Sequence, residues 1–196
     1  LIKNYLENYQ DKLSIKNPKI LFELNNNSLN LQLNGKYLLN NKEDNFFIKF
    51  NGKKNNFELY SLFDLDASSL KIDKIKYLKK KNIPSKLEIL INNSKNSLNI
   101  EKIDFTENKN NISATNLKLS NNFKIQSVDK INVDFLNSNG VKNIFKITKN
   151  LNNYYLIGDQ IDGEEIVERI LKGNSQNKIF SFFDNLNTSV ILKLDK

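Results

Sequence analysis

From Ile20 onward, apolar side chains return at every second position, in one short run after another, as far as Ile157. Ile20, Phe22 and Leu24 alternate with Leu21, Glu23 and Asn25; Leu29, Leu31 and Leu33 alternate with Asn30, Gln32 and Asn34. A period of two sends successive side chains to opposite faces of a strand, so this cadence predicts strands with one face in a core and the other in water. The runs continue through Phe46, Ile48 and Phe50, then Phe57, Leu59, Phe63 and Leu65, then Leu70, Ile72 and Ile75. Further along come Leu87, Ile89 and Ile91; Leu98 and Ile100; Ile103 and Phe105; Ile112 and Ala114; Leu117 and Leu119; and Phe123 and Ile125. Ile131, Val133 and Phe135, Phe145 and Ile147, and Tyr155 and Ile157 complete the series.

Asn-rich stretches punctuate these runs: Asn25-Asn26-Asn27, Asn51-Gly52 to Asn56, Asn92-Asn93, Asn110-Asn111, Asn121-Asn122 and Asn139-Gly140. Asn enters left-handed backbone readily and bonds to its own main chain, which suits turns. Asn34-Gly35, between Leu33 and Tyr37, is the strongest hairpin signal of the set. No sustained helical pattern separates the strands, which argues against βαβ units. The expected fold is mainly β, a long curled antiparallel meander. About a dozen strands at ~4.8 Å spacing make a sheet roughly 60 Å across, which must curl, split or form an open trough, a β-groove.

Two segments depart from the period of two. Ile2, Leu6, Tyr9 and Leu13 follow the helical repeat and predict a helix over 1–16, which Pro18 stops. Near the other end Asp162 and Glu165 have the spacing of a helix cap. Ile166, Val167, Ile170 and Leu171 follow at helical spacing and Gly173 ends them, while Ile179, Phe182, Phe183 and Leu186 predict another short helix. Val190, Leu192 and Leu194 read as a last strand cut short. The organisation is then one segment, 1–196: helix 1–16, β meander 19–158, helical patch 162–186, truncated strand 188–196.

Composition narrows the chemistry. His, Cys, Met and Trp are absent, which closes the usual zinc, haem, iron–sulfur and thiol routes and removes the commonest general base. The expectation is a non-enzymatic chain with no cofactor and no metal. A net charge of +8 raises the question of nucleic acid, but Arg169 is the only arginine among 30 basic residues, and arginine supplies the forks that read phosphates and bases. The scattered lysines read as solvated strand faces, and no nucleic-acid partner is expected. Lys79-Lys80-Lys81, before Pro84, reads as an exposed basic loop. The acidic group Asp159, Asp162, Glu164 and Glu165 lacks the ordered ladder of an EF-hand and reads as a helix start, where the dipole favours acids. Sequons such as Asn26-Asn27-Ser28 and Asn111-Ile112-Ser113 are expected by chance at this Asn content. No apolar run reaches the ~20 residues that span a bilayer.

The apolar strand faces carry the functional question. Leu31, Leu33, Phe46, Ile48, Phe50, Phe57, Leu59, Phe63, Leu87, Ile89, Ile91, Ile100, Phe105, Leu117, Leu119, Ile131, Val133 and Phe135 are the candidate lining of one continuous apolar surface. Such side chains form either a packed core or an open groove for acyl chains, and the pattern leaves both open.

Two stretches resemble a known family. Leu98-Asn99-Ile100-Glu101-Lys102-Ile103-Asp104-Phe105, followed by Ile112-Ser113-Ala114-Thr115-Asn116-Leu117, is similar to a cadence repeated along AsmA-like proteins. Gly158-Asp159-Gln160-Ile161-Asp162, followed by an amphipathic segment, resembles a step before a helix in the branch of YhdP and TamB type. Together they cover about the second half of the chain. The resemblance implies long curled β-sheets with an apolar groove, anchored in the inner membrane of diderm bacteria and crossing the periplasm, with a role in phospholipid transport and outer-membrane homeostasis. It implies phospholipid acyl chains as partners and offers no catalytic residues. Beginning at Leu1 without Met, the chain is expected to be a piece of a longer envelope protein. The rival expectation is a structural or adhesive β-sandwich module of a cell-surface protein with no ligand. An enzyme working through carboxylates is a third.

Overall fold

The structure, a computed structural model, describes residues 13–39, 42–54, 56–94, 97–120, 125–151, 153–164 and 189–194. The strands are β1 (Ser14–Asn25), β2 (Ser28–Leu39), β3 (Lys42–Lys53), β4 (Asn56–Asp64), β5 (Leu70–Ile72), β6 (Tyr77–Lys79) and β7 (Ser85–Ser94). They continue as β8 (Ser97–Glu107), β9 (Asn110–Leu119), β10 (Ile125–Ser127), β11 (Lys130–Leu136), β12 (Lys142–Asn150), β13 (Asn153–Gln160) and β14 (Ser189–Leu194).

Strand order gives a mainly antiparallel 12-stranded sheet, β1-β2-β3-β4-β7-β8-β9-β11-β12-β13-β14, with β10 on β9. The order is linear, so the sheet does not close, and β1 and β14 lie at its ends. The expected alternation produces long strands joined by tight turns, such as Asn26-Asn27 between Asn25 and its partner Ser28. Positive φ falls on Asn17, Asn82, Asn108 and Asn116, a residue type that reaches left-handed backbone more easily than most, and also on Lys54, Lys76, Leu151 and Gly140.

Several expectations are corrected. The helix over 1–16 is overturned at its end, where Ser14–Lys16 belong to β1; residues 1–12 lie outside the described residues. Pro18 does not stop a helix but sits inside β1, where pairing slips between Lys16 and Lys19. A residue without an N–H is tolerated at such a bulge on an edge strand. Asn34-Gly35 is no hairpin: β2 runs through it, with Asn34 opposite Phe47 and Gly35 opposite Phe46. The glycine serves the bulge instead, since a Cβ there would stand 3.0 Å from Lys16 O and 3.3 Å from both Asn17 O and Phe46 Cε1. The strands also extend beyond the expected loops. Asn51-Gly52 lies in β3, Asn92-Asn93 in β7 and Asn110-Asn111 in β9.

Between β4 and β7 the meander is interrupted. After β4 the chain leaves the sheet at Leu65 and returns at Ser85, so β4 pairs with β7. Between them β5 and β6 form their own two-stranded sheet around a 3-10 turn at Asp73–Ile75. This strap takes Leu70, Ile72 and Ile75 out of the main sheet, where the alternation had placed them. Lys79 lies in strand β6 rather than in an exposed loop, while Lys80 and Lys81 are exposed. The expected last strand is present as β14, but it pairs with β13 in parallel, a departure from the antiparallel pattern. The helical patch 162–186 lies outside the described residues beyond Glu164, as do Glu165 and Phe123.

Candidate functional site

Residues directly opposed in a sheet share a face, and the register follows one apolar face across the sheet. Leu31 opposes Phe50, which opposes Leu59, which opposes Ile91, then Ile100, then Leu117. A parallel row joins Phe46, Phe63, Leu87, Phe105, Ile112, Val133 and Phe145. Leu33 with Ile48, Gly52 with Phe57, Ile89 with Ile103, Leu98 with Leu119 and Ile131 with Ala114 fill the same side. Every residue of the candidate lining therefore sits on one face. The other face carries Lys49, Glu58, Glu88, Lys102 and Asp104, with Lys102 paired to Glu88 at 2.7 Å.

Phase breaks in the sequence become bulges. Leu98 and Ile100 are out of step with Ile103 and Phe105, yet all lie in β8, because pairing slips by one residue between Leu90 and Ile91 of β7 and leaves Glu101 as the extra residue of β8. Asn116, at φ 51, makes the matching change in β9 between Ala114 and Leu117.

The face divides in two. On the β8–β13 side it is packed: Tyr77 of the strap sits among Phe105, Val133 and Phe135, its ring edge-on to Phe135 at 5.3 Å and to Phe105 at 5.8 Å. Leu65, Leu70, Ile72 and Ile75 complete this cover. A second cluster joins Val128, Ile147, Tyr154 and Leu156, where Tyr154 Oη accepts the Val128 N–H at 3.1 Å. Phe105, Val133 and Phe135 of the candidate lining are thus core under the chain's own strap. Phe46 is also buried, beside Tyr37. On the β1–β4 side the face is open: Leu31, Leu33, Ile48, Phe50, Phe57 and Leu59 are half-buried, and Ile20, Phe22 and Leu24 are 61–70% exposed. At the turn end a cleft of about 640 Å³ runs between Leu24, Leu29, the stacked pair Phe50 and Phe57, and the exposed Lys53 and Lys54.

A polar layer fastens the strap. Tyr77 Oη donates to Glu107, which also accepts from Asn110 Nδ2 at 3.0 Å. Lys79 is wholly buried, and its ammonium donates to the carbonyls of Ser68 at 2.6 Å, Lys80 at 3.1 Å and Asp66 at 3.3 Å. Desolvation pushes its pKa down, against the opposing pull of Glu107, Asp44 and Asp66. Asp44 accepts the Ala67 N–H at 3.0 Å, and burial raises its carboxyl. Asp66 accepts the Ser85 N–H at 2.7 Å, and Tyr37 Oη donates to the Asp64 carbonyl. Burial is also the largest cause that pushes the phenols of Tyr37 and Tyr77 above the ordinary tyrosine range.

The acidic group has a similar anchoring role. Asp162 accepts from Asn137 Nδ2 at 2.7 Å and from the Glu164 N–H at 3.2 Å, and the strap's Lys76 reaches Glu164 at 2.6 Å and Asp162 at 3.5 Å. The Asp162 bond to a backbone N–H two residues on closes a local Asx-type turn. Among the described residues no group of three or more carboxylates converges as a metal site, and no helix is long and apolar enough to cross a membrane. Tyr77, Glu107 and Asp44 were not singled out from the sequence, and Lys79 was read only as part of an exposed basic loop; nothing in their spacing announces a contact across the strap.

No family model, curated protein or solved structure matches this chain.

Proposed function

We propose that the apolar face works as a lipid-holding trough: acyl chains lie on it, shielded from water, while headgroups remain in solvent. In this reading the chain is a non-catalytic segment of an AsmA-like protein, anchored in the inner membrane and crossing the periplasm of a diderm bacterium, that carries phospholipid towards the outer membrane. The observation behind it is the unbroken apolar register from β2 to β9, half-buried over β2–β4 and continued by the exposed Ile20, Phe22 and Leu24 of β1. Each CH₂ moved from water onto such a surface is worth about 0.8 kcal/mol, so a continuous greasy strip suffices without a shaped pocket.

The test is transfer of a fluorescent phospholipid between vesicles. Leu31→Asp and Ile89→Asp place a charge on the half-buried part of the face and should stop transfer. Val133→Asp is unsuitable, because its site is core and the variant should unfold. Normally folded Leu31→Asp and Ile89→Asp proteins that transfer lipid at the wild-type rate would defeat the proposal. The packed clusters around Tyr77 and Leu156 favour a second reading, a structural or adhesive module, which predicts no lipid uptake by any variant.

A further inference from the structure

The open end of the apolar face has a charge signature. At the turn between β3 and β4, Lys53 and Lys54 line the same cleft as Phe50 and Phe57, and both ammonium-bearing side chains are exposed. Among the described residues neither has an ion-pair partner, unlike Lys16, Lys36, Lys76, Lys102 and Lys142, which are held by carboxylates. The amides of Asn26, Asn56 and Asn93 add hydrogen-bond donors to the same rim. At the opposite ends of the same two strands the cations are tied up, Lys16 and Lys36 by Glu43 and Lys42 by Asn82. Glu43, Asp44, Asp64 and Asp66 surround a second cleft there, and the strap begins beside them.

A trough with free cations and amides at one end and paired charges at the other discriminates between amphiphiles. An anion is attracted to the first end and gains no such attraction at the second, and the screening length of about 8 Å at physiological salt keeps the two ends distinct. The stacked rings of Phe50 and Phe57 line the same cleft as the two lysines, where the first methylenes of an acyl chain would rest. We infer that this end is the headgroup subsite for a phospholipid of net negative charge, bound with its phosphate at Lys53 and Lys54 and its chains running over Phe50 and Phe57 onto the apolar face. The inference rests on the lipid-holding reading and adds headgroup class and orientation to it.

The experiment uses the 196-residue chain, incubated with vesicles of equal parts phosphatidylglycerol and phosphatidylcholine, separated from them and analysed for retained lipid. Mixed vesicles matter because simple attraction to an anionic surface brings the protein equally close to both lipids. The retained ratio therefore reports the subsite and not docking. The expected enrichment of phosphatidylglycerol is about thirtyfold at low salt, the scale for two lysines at about 1 kcal/mol each beside anionic headgroups. A Lys53→Glu, Lys54→Glu double variant should retain both lipids equally. A control with the same charge change on the other face, Lys130→Glu with Lys146→Glu, should keep the wild-type ratio. Equal retention by the wild-type chain, an unchanged ratio in the Lys53/Lys54 variant, or an equal loss in the control each overturns the headgroup subsite while leaving the trough intact. Retention of no lipid at all by the wild-type chain overturns both.

Discussion

Replacing Tyr77 should separate the two ways in which the strap is held. Its side chain is 1% exposed, its ring touches Phe105 and Phe135 edge-on, and its hydroxyl donates to the buried Glu107. Tyr77→Phe keeps the ring and removes a hydrogen bond to a charged group, a loss of about 1.5–3 kcal/mol. Asn110 remains on Glu107, so the carboxylate is not left bare and the lower end of that range applies. Tyr77→Ala also removes a buried aromatic ring, and truncations of that kind cost about 3–5 kcal/mol. Urea unfolding of the three proteins should therefore rank wild type, Tyr77→Phe, Tyr77→Ala, with the last step the larger. Against a typical total of about 5–15 kcal/mol, Tyr77→Ala should leave the chain marginal. Native-state hydrogen exchange supplies the local readout: amides of β5 and β6 should exchange faster in both variants, while pairs between β3 and β4 stay protected. A Tyr77→Ala cost below about 1 kcal/mol would refute the packing described for the strap.

Further outcomes follow from the same contacts. Tyr37 and Tyr77 have phenols raised above the ordinary value of ~10, so above that pH the unfolded chain gives up protons that the folded chain keeps. Their contribution is complete below pH ~10 and is lost as pH rises beyond it, by up to about 1.4 kcal/mol per pH unit per tyrosine; denaturant midpoints should fall steeply there, and less so in Tyr77→Phe. Tyr154→Phe leaves the buried Val128 N–H without its acceptor and should cost about 1–3 kcal/mol by urea unfolding. Gly158→Ala should destabilise severely, because the new Cβ would stand 2.7 Å from Phe145 Cβ and 2.8 Å from the Ile144 carbonyl, where pairing of β12 with β13 slips. Gly35→Val should loosen β1 against β2, seen as faster exchange of the β1 amides, since the added atoms meet the carbonyls of the Asn17 bulge.

Alternation made the strands and their common face legible, because a period of two is imposed by backbone geometry whatever the neighbours. Leu31, Phe50, Leu59 and Ile91 can be assigned to one side before any pairing is known. Boundaries were less legible for a physical reason: Asn and Gly mark any unusual backbone, not only turns. Gly35 answers a close approach by β1, Asn17 and Asn116 answer bulges, and each resembles a loop signal in sequence. The phase change from Ile100 to Ile103 was visible, yet it reads equally as two strands or as one strand with an extra residue. The strap was hidden because its runs are short; β5 and β6 have three residues each. Lys79 could not be recognised as buried, since its acceptors are three backbone carbonyls that no side-chain pattern records. The parallel pairing of β14 with β13 depends on a route that local periodicity does not describe. For the candidate site, the sequence therefore marked the apolar face but not the strap that divides it into packed and open halves.

The central claim is that the open half of the apolar face holds acyl chains. Native mass spectrometry of the purified 196-residue chain, with lipid extracted from the same sample, tests it most directly. The account predicts co-purified phospholipid on the wild-type chain and its loss from folded Leu31→Asp and Ile89→Asp proteins. A lipid-free mass for the wild-type chain, with no uptake of added phospholipid, would contradict it and leave a structural module in its place.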